Sequence, residues 1–262
     1  MRIKIKLLFL FTAITLTAAD TVQMARNEAF SNGEELTFKV KYLFFNAAEA
    51  KMITNPDIYN INGKPTYKID VYGRTLSIFK IFYVKDNWGT FVDTTRLIPL
   101  QSYRHIEEGN YRKHEQVSFD HSKGKANVKL FDRENKRVEE TNTYDIPPNA
   151  QDIVSGFYQL RTMNLSKLKK GEEIVIKGFF DKEIYNLKLI YEGRERLSTK
   201  IGSFETLIFS PIMPNNKLFS GEFPIKVWIT NDKNKIPVKI KANMVVGALD
   251  MEITEAKNLR NN

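Results

Sequence analysis

The chain contains no cysteine among its 262 residues. Disulfide bonds, thiol catalysis, thiolate metal sites and a lipid-modified cysteine are therefore excluded. A chain without disulfides depends on its hydrophobic core. About 240 residues remain after the leader described below, which is enough to bury a substantial core in one domain.

Signatures of the common enzyme classes are also missing. Neither G-x-G-x-x-G nor G-x-x-x-x-G-K-[ST] occurs, so we expect no nucleotide cofactor. Ser155 lies in "IVSGF" without the glycine that a G-x-S-x-G elbow requires. Adjacent acids such as Glu107 and Glu108 point to opposite faces of a strand and cannot flank one glycosidic bond. The sequence therefore indicates a non-enzymatic protein without a cofactor.

Histidine is scarce as well, with three residues at 105, 114 and 121. Imidazoles are the usual zinc ligands in a cysteine-free protein, but these spacings match no recognised metal motif. Charged neighbours such as Lys113 and Glu115 are typical of a solvated hairpin. We therefore expect no metal site.

Long apolar runs are limited to residues 7–16, which follow Arg2, Lys4 and Lys6 and precede small residues at 17–19. This pattern predicts a signal peptide, 1–19, cleaved after Ala19. The run is too short to span a bilayer comfortably, so no membrane-spanning segment is expected. Residues 20–262 are then a single all-β envelope domain in the periplasm, with secretion beyond the cell left open.

The charge balance is mildly basic. The 40 Lys and Arg exceed the 31 Asp and Glu by nine, and three of the cations lie in the leader. The excess is dispersed, and no nucleic-acid recognition module occurs, so nucleic acid is not an expected partner. Anionic lipid headgroups or acidic glycans of the envelope suit such a surface.

Period-two alternation recurs along most of the chain and predicts β-strands with one solvated face. In "TFKVKY" Lys39 and Lys41 alternate with apolar residues, and in "YKIDVY" Lys68 and Asp70 do so. Turn sequences such as "NING" at 60–63 and "DHSKGK" at 120–125 separate the strands. We predict a mainly β protein: a long antiparallel meander curled into an open barrel or β-spiral.

One helix interrupts this pattern at about 150–163. Ile153, Phe157 and Leu160 recur at helical spacing, Asn149 is a candidate N-cap, and Asp152 falls near the positive helix end. The segment "RTLSIFKIFY", 74–83, fits either a short helix or a buried strand.

The segment "WITNDKNKIPVKI", 228–240, is interpreted as a hairpin rather than a catalytic site. Asp232 lies in its turn, where aspartate bonds to the local backbone, and Pro237 indicates a strand start or an edge strand.

Four segments together resemble an exported bacterial family, domain of unknown function 3108. They are "NEAFSNGEELTFKVKYLFFNAAEAKM", "VKDNWGTFVD", "DIVSGFYQLRTM" and "VWITNDKNKIPVKI...VGALDMEI". The resemblance covers nearly the whole chain after the leader. It implies a curled antiparallel sheet with one helix packed on it, similar to periplasmic spiral proteins linked with envelope integrity. It implies no activity and no catalytic residue.

The most specific parts of that resemblance are a G-E-x-L-x-F strand, a Tyr-x-Leu-Arg helix end and a W-x-x-x-D hairpin. We assign structural roles to six residues in them: Gly33, Glu34, Tyr158, Arg161, Asp232 and Pro237. Arg161 is expected to pair with an acid and pin the helix to the sheet. Ala48 stands where a bulge-forming glycine is expected, so the bend there is made differently or is less sharp.

The preferred functional hypothesis is a periplasmic envelope protein that binds a lipid or other amphipathic component. The alternative is a glycan- or protein-binding structural module with a solid core, and a hydrolase is a third hypothesis. Candidate ligand contacts are Lys39, Lys41, Lys68, Trp88, Trp228, Lys239 and Lys241. An interior cavity of about 300 Å³ or more would favour lipid binding, whereas a filled interior would direct attention to the outer surface.

Overall fold

The computed structural model describes residues 26–76, 83–132, 134, 137–212, 220–221 and 223–261. The predicted signal peptide, 1–19, lies outside the described residues. So do residues 77–82 of the segment that fits either a helix or a strand.

The described chain forms fourteen strands and one helix. The first eight strands are β1 (Glu35–Tyr42), β2 (Phe45–Ile61), β3 (Lys64–Thr75), β4 (Lys85–Asp93), β5 (Pro99–Glu108), β6 (Tyr111–Asp120), β7 (Lys125–Phe131) and β8 (Val138–Asp145). After the helix α1 (Ile153–Thr162) come β9 (Glu173–Phe180), β10 (Glu183–Thr199), β11 (Gly202–Pro211), β12 (Ile225–Thr230), β13 (Pro237–Asn243) and β14 (Ala248–Lys257).

All of these strands belong to one antiparallel sheet made of two meanders. The first meander runs outward from β1 to β8, and α1 then carries the chain to the other edge, from which β9 to β14 return. The two meanders meet in the middle of the sheet, where β1 pairs with β14. The first and last described strands therefore lie side by side in the middle of the sheet.

The sheet curls until its two edge strands approach each other without closing. Tyr144 of β8 packs on Phe179 of β9 at 5.6 Å between ring centroids, and Lys182 forms an ion pair of 2.9 Å with Glu140. Gln151 covers part of the remaining gap, because its backbone N–H donates to the carbonyl of Lys177 on β9. The predicted mainly β fold, an open curled meander with one helix on it, is confirmed.

The helix starts later than its candidate cap predicted. Asp152, not Asn149, is the N-cap, and its side chain accepts hydrogen bonds from the backbone of Val154 and Ser155. Ser155 in turn accepts from the Asp152 backbone N–H, which completes a capping box. The prediction for Asn149 was wrong because Gln151, two residues later, is held against β9 by backbone hydrogen bonds and cannot yet be helical.

The predicted hairpins occur at the predicted turns. The Asp232 carboxylate accepts from Thr230 Oγ1 at 2.8 Å and from the Lys235 backbone N–H at 2.9 Å. Pro237 is the first residue of β13. It sits at a strand start within the sheet rather than on an edge, because β13 has neighbours on both sides.

Between β1 and β2 the bend is made without a glycine. Val40 pairs with Ala48 and the next residue, Lys41, pairs with Asn46, so Ala47 is the extra residue of a bulge. The Ala47 carbonyl instead accepts from the Leu76 backbone N–H at 2.9 Å. The bend expected beside Ala48 is therefore present, and an alanine forms it.

The second face of β3 is not fully solvated, contrary to the alternation prediction for Asp70. Asp70 is buried, and its carboxylate accepts a hydrogen bond from Tyr103 on β5. The tyrosine ring reaches it by lying across Gly89, the residue between them on β4. Burial and then the Asp70 carboxylate raise the pKa of Tyr103, so it remains a phenol that donates.

The helix is fastened to the sheet by a fully buried ion pair. Arg161 Nη1 and Nη2 donate to the two Glu34 carboxylate oxygens at 2.6 and 2.7 Å, and both side chains are 0 % exposed. Arg161 Nε donates to the Asn234 carbonyl at 3.0 Å, and the guanidinium lies 5.0 Å from the Tyr158 ring. Gly33, with φ +82°, makes the turn that delivers Glu34 to this position.

We predict that Arg161→Met destabilises the fold by about 3–5 kcal/mol, because it leaves the Glu34 carboxylate buried without a partner. Urea denaturation at neutral pH measures the change. The matched control is Arg74→Met, which breaks the exposed Arg74–Glu49 pair of 2.9 Å and should change stability by less than about 1 kcal/mol. Equal losses in the two variants would contradict the pinning role.

We also predict that Gly89→Ala destabilises the fold by about 1–3 kcal/mol. A Cβ atom at Gly89 would collide with the Tyr103 ring, which must then leave Asp70 buried without its hydrogen bond. Gly73→Ala on the adjacent strand is the control, because nothing lies within 4 Å of its added carbon. Thermal unfolding of both variants tests this, and an unchanged Gly89→Ala protein would disprove it.

Candidate functional site

Four of the lysines proposed as ligand contacts lie together on one face of the sheet. Lys39 and Lys41 come from β1, and Lys239 and Lys241 come from β13. Both strands flank β14, so the four ammonium groups are brought close although nearly the whole chain separates the two pairs.

Strand register explains how the four lysines are arranged. Lys39 and Lys239 both pair with Glu252, whereas Lys41 and Lys241 both pair with Asp250. Because side chains two residues apart on a strand share a face, all six charges lie on the same surface. Each row across the three strands therefore carries a carboxylate between two ammonium groups.

These residues line an open groove of about 630 Å³. Lys200, in the turn between β10 and β11, adds a fifth lysine, and Thr254 and Asn46 also border the space. Five lysines against two carboxylates leave three positive charges in the groove. We call this surface, formed by Lys39, Lys41, Lys200, Lys239, Lys241, Asp250 and Glu252, the basic groove.

Two apolar turns project beside the basic groove. Phe44, in the β1–β2 turn, is 78 % exposed and lines the groove with Leu43. Val246, in the neighbouring β13–β14 turn, is 72 % exposed. The two turns are held together by the Tyr42 hydroxyl, which donates to the Val246 carbonyl at 2.9 Å. We call the exposed residues of these turns, Leu43, Phe44, Val245 and Val246, together with Phe45 at the start of β2, the apolar tips.

The other three candidate contacts lie elsewhere. Lys68 forms an ion pair of 3.5 Å with Asp70 on β3. Trp88 of β4 stacks on Phe180 at 5.7 Å between ring centroids. Neither residue lines the basic groove.

Trp228 does not line the groove, but it lies beside one of its lysines, because Lys239 Nζ is 5.8 Å from its ring centre. It is nevertheless only 8 % exposed, and its indole N–H donates to Glu195. In this structure little of the Trp228 ring is therefore open to a ligand. The ring instead packs against apolar residues at the end of β10 and the start of β11.

The space between the helix and the sheet is filled. Two cavities in the described structure adjoin α1 and the sheet, with volumes of about 30 and 10 Å³. Both are far below the roughly 300 Å³ that a ligand pocket needs. A ligand-sized space in the described regions therefore has to be sought on the outer surface, where the basic groove is the largest of the grooves described.

A second basic surface differs from the basic groove because it lacks exposed apolar residues. It is lined by Lys64, Arg96, Lys123 and Lys125 and has a volume of about 520 Å³. Its apolar residues, Leu100 and Phe119, are buried, so it has no counterpart of the apolar tips.

Within the described ranges, no group of three or more histidine or acidic side chains is placed to hold a metal ion. The described helix is also too short to cross a bilayer.

Sequence reasoning missed the apolar tips and Lys200. The run "YLFF", 42–45, continues the apolar pattern of the preceding strand, but Leu43 has φ +55° and lies in a turn. Turns favour small and polar residues, so a bulky apolar residue in a turn indicates an exposed apolar side chain. That was the only sequence signal for the apolar tips. Nothing in the sequence places Lys200 near β14.

Similarity to known proteins agrees with the fold. A family model described as "Protein of unknown function (DUF3108)" matches residues 37–254. The chain belongs to the DUF3108 family. The resemblance found in the four sequence segments is thereby confirmed. In this DUF3108 protein the matched range includes all five lysines of the basic groove, whereas Glu34 lies just outside it.

Solved structures resemble the DUF3108 chain in fold. A β-barrel-like protein of the domain of unknown function DUF1849 from Brucella abortus matches with a TM-score of 0.53 and 10% identity, over 87% of this chain and 99% of that one. At that identity the likeness concerns the fold alone. A comparison with curated proteins finds no match.

Two further structures match with a TM-score of 0.35. One is a candidate exported protein with a YmcC-like fold from Bacteroides fragilis, at 7% identity over 88% of this chain and 98% of that one. The other is a candidate lipoprotein from Parabacteroides distasonis, at 11% identity over 87% and 97%.

Proposed function

We propose that this protein is a non-enzymatic component of the bacterial cell envelope that binds anionic lipid through the basic groove and the apolar tips. The observation that carries the proposal is the meeting of five lysines and two exposed apolar turns at one groove of about 630 Å³. The leader expected at 1–19 supports a periplasmic location.

The charge pattern of the groove suits an anionic headgroup. Lysine ammonium groups are compact charges that bind phosphate and carboxylate oxygens. None of the five lysines forms an ion pair with Asp250 or Glu252 among the described contacts. The two carboxylates offset part of the charge, and the net excess of three positive charges is available to a ligand.

The apolar tips supply the second half of an amphiphile site. Phe44 and Val246 are exposed, whereas most of the large apolar side chains of the protein are buried in its core. Clustered exposed apolar residues beside polar ones mark interaction surfaces in soluble proteins. In the proposed binding mode the apolar tips enter the acyl region while the lysines contact headgroups.

The alternative of a glycan-binding module is less well supported. It relies on tryptophan rings that stack on sugars, and Trp228 is buried while Trp88 is covered by Phe180. A filled interior is compatible with both hypotheses, because the proposed lipid site is on the outer surface. The pairing of cationic and apolar surface is what favours lipid.

We predict that Lys41→Gln/Lys241→Gln weakens binding to phosphatidylglycerol vesicles by about 30-fold. Each lysine near an anionic membrane contributes about 1 kcal/mol, and 2 kcal/mol corresponds to that factor. Vesicle co-sedimentation at low ionic strength gives the partition coefficients. Added salt should weaken wild-type binding, because the screening length falls to about 10 Å at 0.1 M.

The matched control for the lysine variant is Lys64→Gln/Lys123→Gln, which removes the same charge from the second basic surface. It should retain most of the wild-type binding. Equal loss in the two variants would mean that total charge, not the basic groove, attracts the vesicles. Wild-type binding to phosphatidylcholine vesicles of equal strength would refute the anionic part of the proposal.

The apolar half is tested separately by Phe44→Ser/Val246→Ser. We predict a loss of about tenfold in vesicle binding that persists in high salt, because the lost contribution is burial of apolar area. Val175→Ser/Ile184→Ser removes exposed apolar residues from β9 and β10 and should have no effect. Melting temperatures should be unchanged in both, and an unaffected Phe44→Ser/Val246→Ser protein would exclude insertion of the tips.

A further inference from the structure

We propose that His105, His114 and Asn87 bind a divalent transition-metal ion such as Cu²⁺ or Zn²⁺ on the face of the sheet opposite the helix. This site is independent of the basic groove, which lies on β1, β13 and β14. It joins three adjacent strands of the first meander.

Strand register places the three side chains in one row. Asn87 of β4 pairs with His105 of β5, and His105 pairs with His114 of β6. Directly opposed residues of antiparallel strands have Cβ atoms about 4.5–5.5 Å apart and share a face. That face is opposite α1, because Thr90, three residues after Asn87, donates to the helix cap Asp152 at 2.6 Å.

The two imidazoles are separated as a shared ion requires. Their ring centroids lie 5.0 Å apart, with an angle of 53° between the ring planes. A metal–nitrogen bond of about 2.0–2.1 Å puts each ring centre about 3.2 Å from the ion, and tetrahedral bonds then set the centres about 5.2 Å apart. The observed centroid spacing is close to that value.

Two atoms in this row lack the partners that buried polar atoms normally have. His114 Nδ1 and Asn87 Oδ1 are both inaccessible to water, and neither has a hydrogen-bond partner in the described structure. Imidazole nitrogen and amide oxygen are both metal ligands. A cation between them would satisfy both orphaned atoms at once.

The surrounding charges also suit a cation. Asp70, whose carboxylate interacts electrostatically with His105, adds a negative charge nearby. Two imidazoles and one amide oxygen leave coordination positions for water, a set that favours Cu²⁺ over the other first-row divalent ions.

Sequence spacing pointed away from this site, and the reason is geometric. A nine-residue separation matches no helical or loop metal motif, but it spans the β5–β6 hairpin and brings the two histidines face to face. The third histidine is kept apart: His121 Nε2 lies 2.7 Å from the Pro99 carbonyl, and its ring stacks on Phe119. His121 therefore provides an internal control.

The test is a Cu²⁺ titration of tag-free protein stripped of metal, followed by electron paramagnetic resonance and isothermal calorimetry. We expect one Cu²⁺ per chain, with hyperfine splitting from two imidazole nitrogens. His105→Gln and His114→Gln should each weaken binding by at least about tenfold and leave splitting from one nitrogen. His121→Gln should bind like the wild type, and Zn²⁺ should raise the melting temperature of the wild type but not of His105→Gln/His114→Gln.

Three results would overturn the proposal. These are non-saturable binding to the wild type, unchanged affinity in His105→Gln/His114→Gln, and equal weakening in His121→Gln. The nitrogen count in the wild type needs no substitution, so it decides the matter even where a variant fails to fold. A count of zero or one excludes the site.

Discussion

A buried ion pair between Arg161 and Glu34 holds together three parts of the chain that are distant in sequence. Arg161 lies in the last turn of the helix and Glu34 precedes β1. Arg161 also donates to the Asn234 carbonyl in the β12–β13 turn. A charge pair removed from water is stable only if its hydrogen bonds are satisfied, so each part is fixed relative to the others. The helix, the start of the first meander and the end of the second are thereby held in one arrangement.

That arrangement determines where the surface chemistry lies. Because the second meander returns beside the start of the first, β1 and β13 flank β14, and lysines from both ends of the chain meet in the basic groove. The same pairing places the β1–β2 and β13–β14 turns side by side, where they form the apolar tips. On each strand the lysines and the apolar tip are close in sequence, and the strand pairing brings the β1 set and the β13 set together.

The curled sheet is solid inside, which separates structural and functional roles by face. Side chains on the helix side, such as Tyr158 and Phe209, are buried in the core. On the opposite side of the first meander, polar residues instead form specific pairs, including Asp70 with Tyr103 and His105 with His114. In this protein both faces of an alternating strand therefore make specific contacts: one face packs in the core and the other forms polar pairs.

The sequence by itself determined the strands, most turns, the helix and the family, because alternation, turn residues and helical spacing are local properties of the chain. It also marked Lys39 and Lys241 as solvent-facing, and Arg161 as needing an acid. Only the tertiary structure decided that Glu34 is that acid, that the lysines of β1 and β13 share a groove, and that Trp228 is buried. Those facts depend on which strands become neighbours and how far the sheet curls, and long-range pairing leaves no trace in a local pattern.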